Sequence, residues 1–211
     1  MAETIRSVCV FCASSEAVSE PFREVARQLG TAIADRGWEL VYGGGGIGLM
    51  GEVSRAVMAA GGAVFGVIPH RLAEREVAAV DITQLVQVDT MRERKALMDE
   101  RADAFIVLPG GIGTLEELVE IMTLRQLGYH DRPVVVIDAD GFWQPLAELF
   151  EHMVASRLAP PSLARLWQLV PDVPGALEAL AHPTSTVAAT NEELPEELLE
   201  TVEEPEIRPR R

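Results

Sequence analysis

Short apolar runs recur along the chain, each followed by a stretch in which apolar positions return every three or four residues. Ile5 to Cys12 is the first such run, and Phe22 to Arg36 has helical periodicity that ends at Gly37. Trp38 to Tyr42 is a second run, passing at once into glycines and a helix that reaches about Ala60. Ala63 to Ile68 and Gln84 to Val88 read as strands, Met91 to Arg101 as a helix, Ala104 to Leu108 as a strand and Thr114 to Leu127 as a helix. A strand at Pro133 to Asp138, a helix from Phe142 to Ala155, a weaker strand at Trp167 to Val170 and a short helix from Pro174 to Leu180 complete the order. Strands that are apolar throughout are buried on both faces, and alternation with helices makes the sheet parallel. The pattern predicts an α/β fold, an open, doubly wound, Rossmann-like parallel sheet with helices on both faces, as one domain over residues 1–183.

Residues 184–211 break the pattern. They are rich in Thr, Glu and Pro, their acids crowd between Glu192 and Glu206, and three arginines stand near the end. Such a segment buries too little apolar area to offset its ordering entropy, so it reads as a disordered tail. The 211 residues carry 33 acidic and 18 basic side chains, a net charge of -15. That balance argues against nucleic acid or an anionic membrane as the main partner, yet leaves room for a small phosphorylated ligand held by a few local donors. Two cysteines cannot build a disulfide framework, Met1 to Arg6 lacks the apolar core of a signal peptide, and no run reaches the length of a membrane span. The expectation is a soluble, cytoplasmic protein.

Two glycine-rich turns join a strand to a helix. One is Gly43-Gly44-Gly45-Gly46-Ile47-Gly48-Leu49-Met50-Gly51, the other Pro109-Gly110-Gly111-Ile112-Gly113-Thr114. Each is either a tight connection or an anion site, because glycine lets backbone N–H groups approach a phosphate at a helix N-terminus. Two such turns at the carboxyl ends of parallel strands, where open α/β sheets bind ligands, favour a phosphate site. Gly46-Ile47-Gly48-Leu49-Met50-Gly51 also spells a dinucleotide fingerprint, but the next strand ends Val67-Ile68-Pro69-His70-Arg71 without the acid that would meet a ribose. Neither turn continues into Gly-Lys-Ser/Thr. Cys9 and Cys12, three apart on a strand, point to opposite faces and read as core thiols. His70, His130, His152 and His182 lack metal-ligand spacing, so no metal site is expected.

The informative charges lie in two helices. Met91, Met98 and Ala102 predict an apolar stripe that includes position 95 and borders position 94, which sets a basic head close to buried surface. Lys95 is the only lysine in the chain. Spacing alone favours a lysine that snorkels from the helix edge over a phosphate clamp made by Arg94 and Lys95. Thr114 and Glu117 would form a capping box, with Thr114 as N-cap, or else Glu117 faces a ligand held by the glycine turn. Sequence leaves these two open, and Thr90 with Glu93 repeats the box pattern.

Pro109-Gly110-Gly111-Ile112-Gly113-Thr114-Leu115-Glu116-Glu117 resembles the P-G-G-x-G-T-x-x-E signature of the LOG family, the cytokinin riboside 5′-monophosphate phosphoribohydrolases, long labelled possible lysine decarboxylases. The first glycine turn and the Arg94-Lys95 pair match the family's other motifs in order, and Val10-Phe11-Cys12-Ala13-Ser14-Ser15 resembles its opening strand and turn. The resemblance spans Ile5 to Ala181. It departs at Arg92, where the family usually has His, and at Ala13, where it usually has Gly. It implies hydrolysis of the N-glycosidic bond of adenosine-type nucleoside 5′-monophosphates, without a cofactor, by a homodimer. By motif position it implies Arg94 and Glu117 as the catalytic pair, and Ser14, Gly44, Gly45, Glu76, Lys95, Gly110, Gly111, Gly113, Thr114 and Thr123 around the substrate. A non-catalytic nucleotide or cofactor carrier on the same fold is the alternative. The decarboxylase label would make Lys95 the Schiff-base residue of a pyridoxal-phosphate enzyme.

Overall fold

A computed structural model describes residues 5–73 and 78–183. The expected tail and Glu76 lie outside the described residues. Seven strands form one sheet: β1 (Ser7–Phe11), β2 (Glu39–Tyr42), β3 (Ala63–Pro69), β4 (Gln84–Val88), β5 (Ala104–Val107), β6 (Val134–Ile137) and β7 (Gln168–Val170). Their order is β4-β3-β2-β1-β5-β6-β7, and every neighbouring pair is parallel. The central strands β1, β5 and β6 are buried along their whole length, as their unbroken apolar runs require. The edge strands are less covered: β7 is half-buried throughout, and β4 exposes Gln84 and Gln87.

The helices are α1 (Glu20–Asp35), α2 (Gly48–Ala59), α3 (His70–Ala73), α4 (Met91–Arg101), α5 (Ile112–Gln126), α6 (Gln144–Ala155) and α7 (Val173–Ala181). They divide between the two faces. Leu29 and Ile33 of α1, Val53 of α2 and Ala176 of α7 pack with Val8 and Val10 on one side. Met98 of α4, Leu118 and Ile121 of α5 and Phe150 of α6 pack with Cys9, Phe11 and Val41 on the other. Cys9 and Cys12 accordingly fall in opposite layers, both free and buried. Two short 3-10 turns, Ala139–Gly141 and Pro161–Arg165, and helix α3 are elements that the hydropathy pattern did not predict.

The order reverses at β1. The chain winds outward from β1 through β2 and β3 to β4, then returns to the other side of β1 as β5. Crossovers leave the sheet in opposite directions at that point, and the connections part to open a crevice beyond the strand ends. Both glycine turns and the loop after β1 meet there. Among the described residues no helix is long and apolar enough to cross a membrane.

Candidate active site

A cleft of about 360 Å³ lies at the carboxyl ends of β1, β2 and β5. Ser14 and Ser15 close one side of it, and Gly111, Ile112, Gly113 and Thr114 form its rim. Arg94, Glu116 and Glu117 bring charge, and Val10, Phe11, Met50, Leu72, Met91 and Met98 form an apolar wall.

The two glycine turns have different work. Leu49 and Met50 at the start of α2 donate their backbone N–H groups to the carbonyl of Ala13, at 2.9 and 3.3 Å. The helix end where the fingerprint would seat a pyrophosphate is thus taken by the loop after β1. Gly48 makes this possible with φ +58 and no Cβ, since a Cβ there would stand 2.8 Å or less from Ala13, Ser14 and Ser15 backbone atoms. Of the two turns that favoured a phosphate site, the first therefore serves as a connection to the loop after β1. Gly44 faces Ile68 and Leu85, and its carbonyl accepts from the Ala79 N–H at 3.0 Å. Gly45 bridges to Ala78. Neither lines the cleft.

The second turn is open. Gly111 is the N-cap of α5 in extended conformation, and a Cβ added at Gly111 or Gly113 would meet nothing within 4 Å. The first N–H groups of a helix have no intrahelical acceptor, so this turn presents backbone donors and the positive end of the helix dipole to the cleft. Thr114 is buried at the third helical position and packs against Gly110, which has no room for a side chain there. Of the two alternatives left open for Thr114 and Glu117, the capping box is not formed, because α5 begins at Ile112 with Gly111 as N-cap. Glu117 is released from that task and lines the cleft, one helical turn beyond the open N–H groups. The second box does form: Glu93 N–H donates to Thr90 Oγ1 at 3.1 Å, and Thr90 N–H to Glu93 Oε2 at 3.2 Å.

Arg94 is 6% exposed. Its Nε donates to the Val67 carbonyl at 3.2 Å and a terminal nitrogen to the Gly43 carbonyl at 3.1 Å. These two bonds tie α4 to the ends of β3 and β2 and fix the guanidinium against the cleft. Gly43 is essential to that seat, since a Cβ there would fall 1.7 Å from the guanidinium. Here the expected stripe on α4 is corrected. Arg94 and Met98 are its buried residues, Met91 is 43% exposed, and Lys95 lies at the border.

Lys95 does not line the cleft. It lies over a neighbouring groove of about 270 Å³ with Arg92, Asp99 and Glu120, and Phe11 and Glu117 form the wall shared by groove and cleft. The ammonium meets Glu116 at 2.5 Å and Glu120 at 2.8 Å. Burial pulls Lys95 toward the neutral amine, but the hydrogen bonds to the two glutamates outweigh it and hold the group above its ordinary range. Thr123 is exposed on the outer face of α5, where its hydroxyl donates to the Val119 carbonyl at 2.7 Å. Cys12 lines the cleft as a neutral thiol, pushed up first by burial and then by the charge of Glu117, against the pull of Arg94. Among the described residues no cluster of His, Cys, Asp or Glu is arranged to hold a metal ion.

The structure therefore brings Ser14, Arg94, Gly111, Gly113, Thr114 and Glu117 to one cleft and sets Gly44, Gly45, Gly110, Lys95 and Thr123 outside it. Gly43 and the apolar wall were missed. Gly43 was legible as the first residue of its turn, whereas Met50, Leu72 and Met91 come from three helices and carry no shared sequence signal.

Comparison with known proteins identifies the family. A family model described as possible lysine decarboxylase matches residues 50–180. Probable cytokinin riboside 5′-monophosphate phosphoribohydrolase LOGL9 of Oryza sativa subsp. japonica is 45% identical over 175 residues, 83% of this chain and 77% of the relative. Cytokinin riboside 5′-monophosphate phosphoribohydrolase LOG2 of Arabidopsis thaliana is 42% identical over 83% of this chain and 82% of its own. The cytokinin riboside 5′-monophosphate phosphoribohydrolase of Mycobacterium tuberculosis is 43% identical over 83% and 93%. The molybdenum cofactor carrier protein of Chlamydomonas reinhardtii shares the fold, with TM-score 0.64 and 21% identity over 83% of this chain and 95% of that one. At that identity the likeness concerns the fold alone. On these matches the chain belongs to the LOG family, the one whose model is described as possible lysine decarboxylase.

Proposed function

We propose that this protein is an N-glycosidase that hydrolyses adenosine-type nucleoside 5′-monophosphates, cytokinin riboside 5′-monophosphate or AMP, to the free base and ribose 5-phosphate. One observation carries the reading: an open helix N-terminus, a buried arginine and a carboxylate converge on one cleft, while the other glycine turn is closed by the protein itself. The names of the relatives at 42–45% identity point the same way.

The 5′-phosphate accepts hydrogen bonds from the backbone at Gly111 to Thr114, supported by the α5 dipole and by the Ser14 hydroxyl across the cleft. The base lies toward Met50, Leu72 and Met91. Between them the ribose is presented to Arg94 and Glu117. As the bond from C1′ to the base nitrogen breaks, the electron pair leaves with the base, which takes up a proton from solvent, and positive charge builds on the sugar. The Glu117 carboxylate stabilises that charge and accepts a proton from the water that bonds to C1′. Arg94, whose guanidinium is fixed by two backbone carbonyls, orients the substrate without reorganisation at the moment of reaction.

Pyridoxal-phosphate chemistry does not fit these residues. Its only candidate lysine, Lys95, is held as an ammonium between two carboxylates and lies outside the cleft. A carrier without turnover remains the competing reading of the fold, and the two differ in one assay. Incubation with AMP and isopentenyladenosine monophosphate, followed by chromatography, is expected to give free base and ribose 5-phosphate. Glu117→Gln is expected to lower kcat by about 100-fold or more with AMP still bound. Binding without product in the wild type would favour the carrier, and full activity in Glu117→Gln would remove Glu117 from the mechanism.

The working form is proposed to be a cytoplasmic homodimer. The unpaired buried thiols Cys9 and Cys12 suit a reducing compartment. Ile112, Val119 and Leu127 leave apolar surface along the outer side of α5, where Thr123 also lies, for a second copy to cover.

A further inference from the structure

We infer that Arg23, seated by Glu52, is a positioning residue that sets the Ser14 side of the cleft against the open end of α5. The inference rests on the proposed hydrolysis and adds what holds the half of the phosphate site opposite Gly111 to Thr114. That half is the loop between β1 and α1, and its near end is fixed by backbone alone. The Ala13 N–H donates to the Pro109 carbonyl at 3.1 Å, and the Ala13 carbonyl accepts from Leu49 and Met50. One residue thus joins both glycine turns, and Ser14 follows it into the cleft. Beyond Ser14 the chain turns back, with the Ser15 hydroxyl accepting from the Ala17 N–H at 3.2 Å. From Glu16 to Val18 the loop belongs to no strand or helix.

Arg23 holds this far end. Its Nε donates to the Val18 carbonyl at 3.1 Å and one terminal nitrogen to the Glu16 carbonyl at 2.6 Å, while the other meets Glu52 at 2.9 Å. A planar guanidinium with donors on three sides suits three acceptors arranged around it, which a compact ammonium does not. The carboxylate comes from α2. Arg23, Arg27 and Gly30 share one face of α1, and a Cβ at Gly30 would stand 2.5 Å from the Val53 carbonyl. The two helices therefore lie close, and Glu52, next to Val53, reaches both arginines. Glu52 also meets Arg55 at 3.2 Å, and Arg55 donates to the Gly46 carbonyl of the first glycine turn at 2.9 Å. One carboxylate serves the loop on one side and the turn on the other. Burial pushes the Glu52 carboxyl up, but the hydrogen bonds from Arg23 and Arg27 and the charge of Arg55 outweigh it and keep the group below its ordinary range. Without that carboxylate, Arg23, Arg27 and Arg55 would crowd as three cations, and Arg23 would swing toward water and release Glu16 and Val18. The side chains of Arg23 and Glu52 are 22% and 16% exposed, so salt screens the pair only weakly.

Kinetics on AMP, with inorganic phosphate and adenine as separate inhibitors, tells positioning from a general loss of structure. Arg23→Met and Glu52→Leu are each expected to raise KM for AMP and the inhibition constant of phosphate by about 5-fold or more, with kcat and the adenine constant within about 2-fold of wild type. The double variant should cost no more than about 2-fold beyond either single one, because both cut the same tie. Equal shifts in the phosphate and adenine constants, or a lower Tm with wild-type kinetics, would make the network merely structural and overturn the inference. So would independent, multiplying effects in the double variant. A wild type that binds AMP without hydrolysing it overturns the proposed function instead. Calorimetric titration of the same variants with phosphate then reads the tie, and equal affinity in all of them would refute it.

Discussion

At the residue scale, what a side chain can do here depends on what a missing Cβ permits. Gly43 and Gly113 both look like turn glycines, yet one leaves room for protein and the other for ligand. A methyl group at Gly43 would fall 1.7 Å from the Arg94 guanidinium, whereas one at Gly113 would meet no protein atom within 4 Å. Gly43→Ala is therefore expected to displace Arg94, with a stability loss of about 1–3 kcal/mol and at least about a 10-fold drop in kcat/KM. Gly113→Ala should melt within a degree or two of wild type but raise KM for AMP, because the methyl stands where the phosphate approaches the backbone. Melting curves and kinetics on the two variants check both halves, and equal effects on stability would contradict the distinction.

Among the elements, α5 contributes more residues to the lining of the cleft than any other. Its start at Ile112 aims open N–H groups at the cleft and sets Glu117 in the cleft wall, and its middle takes the Lys95 tie. Its far end is held by His130. The Arg132 N–H donates to Nδ1 at 3.2 Å, which leaves the ring proton on Nε2, and that nitrogen donates to the Ile121 carbonyl at 3.0 Å. Burial first, then the Arg132 charge, holds the imidazole below its ordinary value of 6.5, against the opposing effect of the Ile121 bond. A depressed histidine means that the folded state binds fewer protons than the unfolded one. Its contribution to stability is present above about pH 6.5 and is lost as pH falls from there through the folded-state value. Tm is expected to decline between pH 7 and pH 5.5, and His130→Gln should flatten that decline. Parallel curves for the two proteins would exclude His130 as a source.

For the whole molecule, the reversal of strand order at β1 gathers three distant loops at one end of the sheet, and the remaining question of scale is the copy number. The outer face of α5 carries Ile112 at 83%, Val119 at 41% and Leu127 at 66% exposure, a row that water wets poorly and a second chain would cover. Sedimentation velocity is expected to return twice the 22.9 kDa chain mass, and Leu127→Glu is expected to shift it toward one chain. A single-chain mass for the wild type would remove the dimer.

The sequence by itself determined the order of the elements, the parallel sheet buried on both faces, the opposite facing of Cys9 and Cys12 and the places where glycine turns meet helices. All of these are local, written in periodicities of two and 3.6 residues and in runs of glycine. The LOG signature added Arg94 and Glu117 as a pair that spacing alone could not choose. Only the tertiary structure decided which turn stays open, because the carbonyl that closes the first one belongs to Ala13, on another strand's loop. It also decided that Arg94 is sunk into the α4 face while Lys95 turns to its carboxylates, since the phase of a helix with one apolar residue per turn is set by what it packs against. The start of α5 followed the same logic: a capping box is a local preference worth about 1 kcal/mol, and the packing of Thr114 against Gly110 outweighed it.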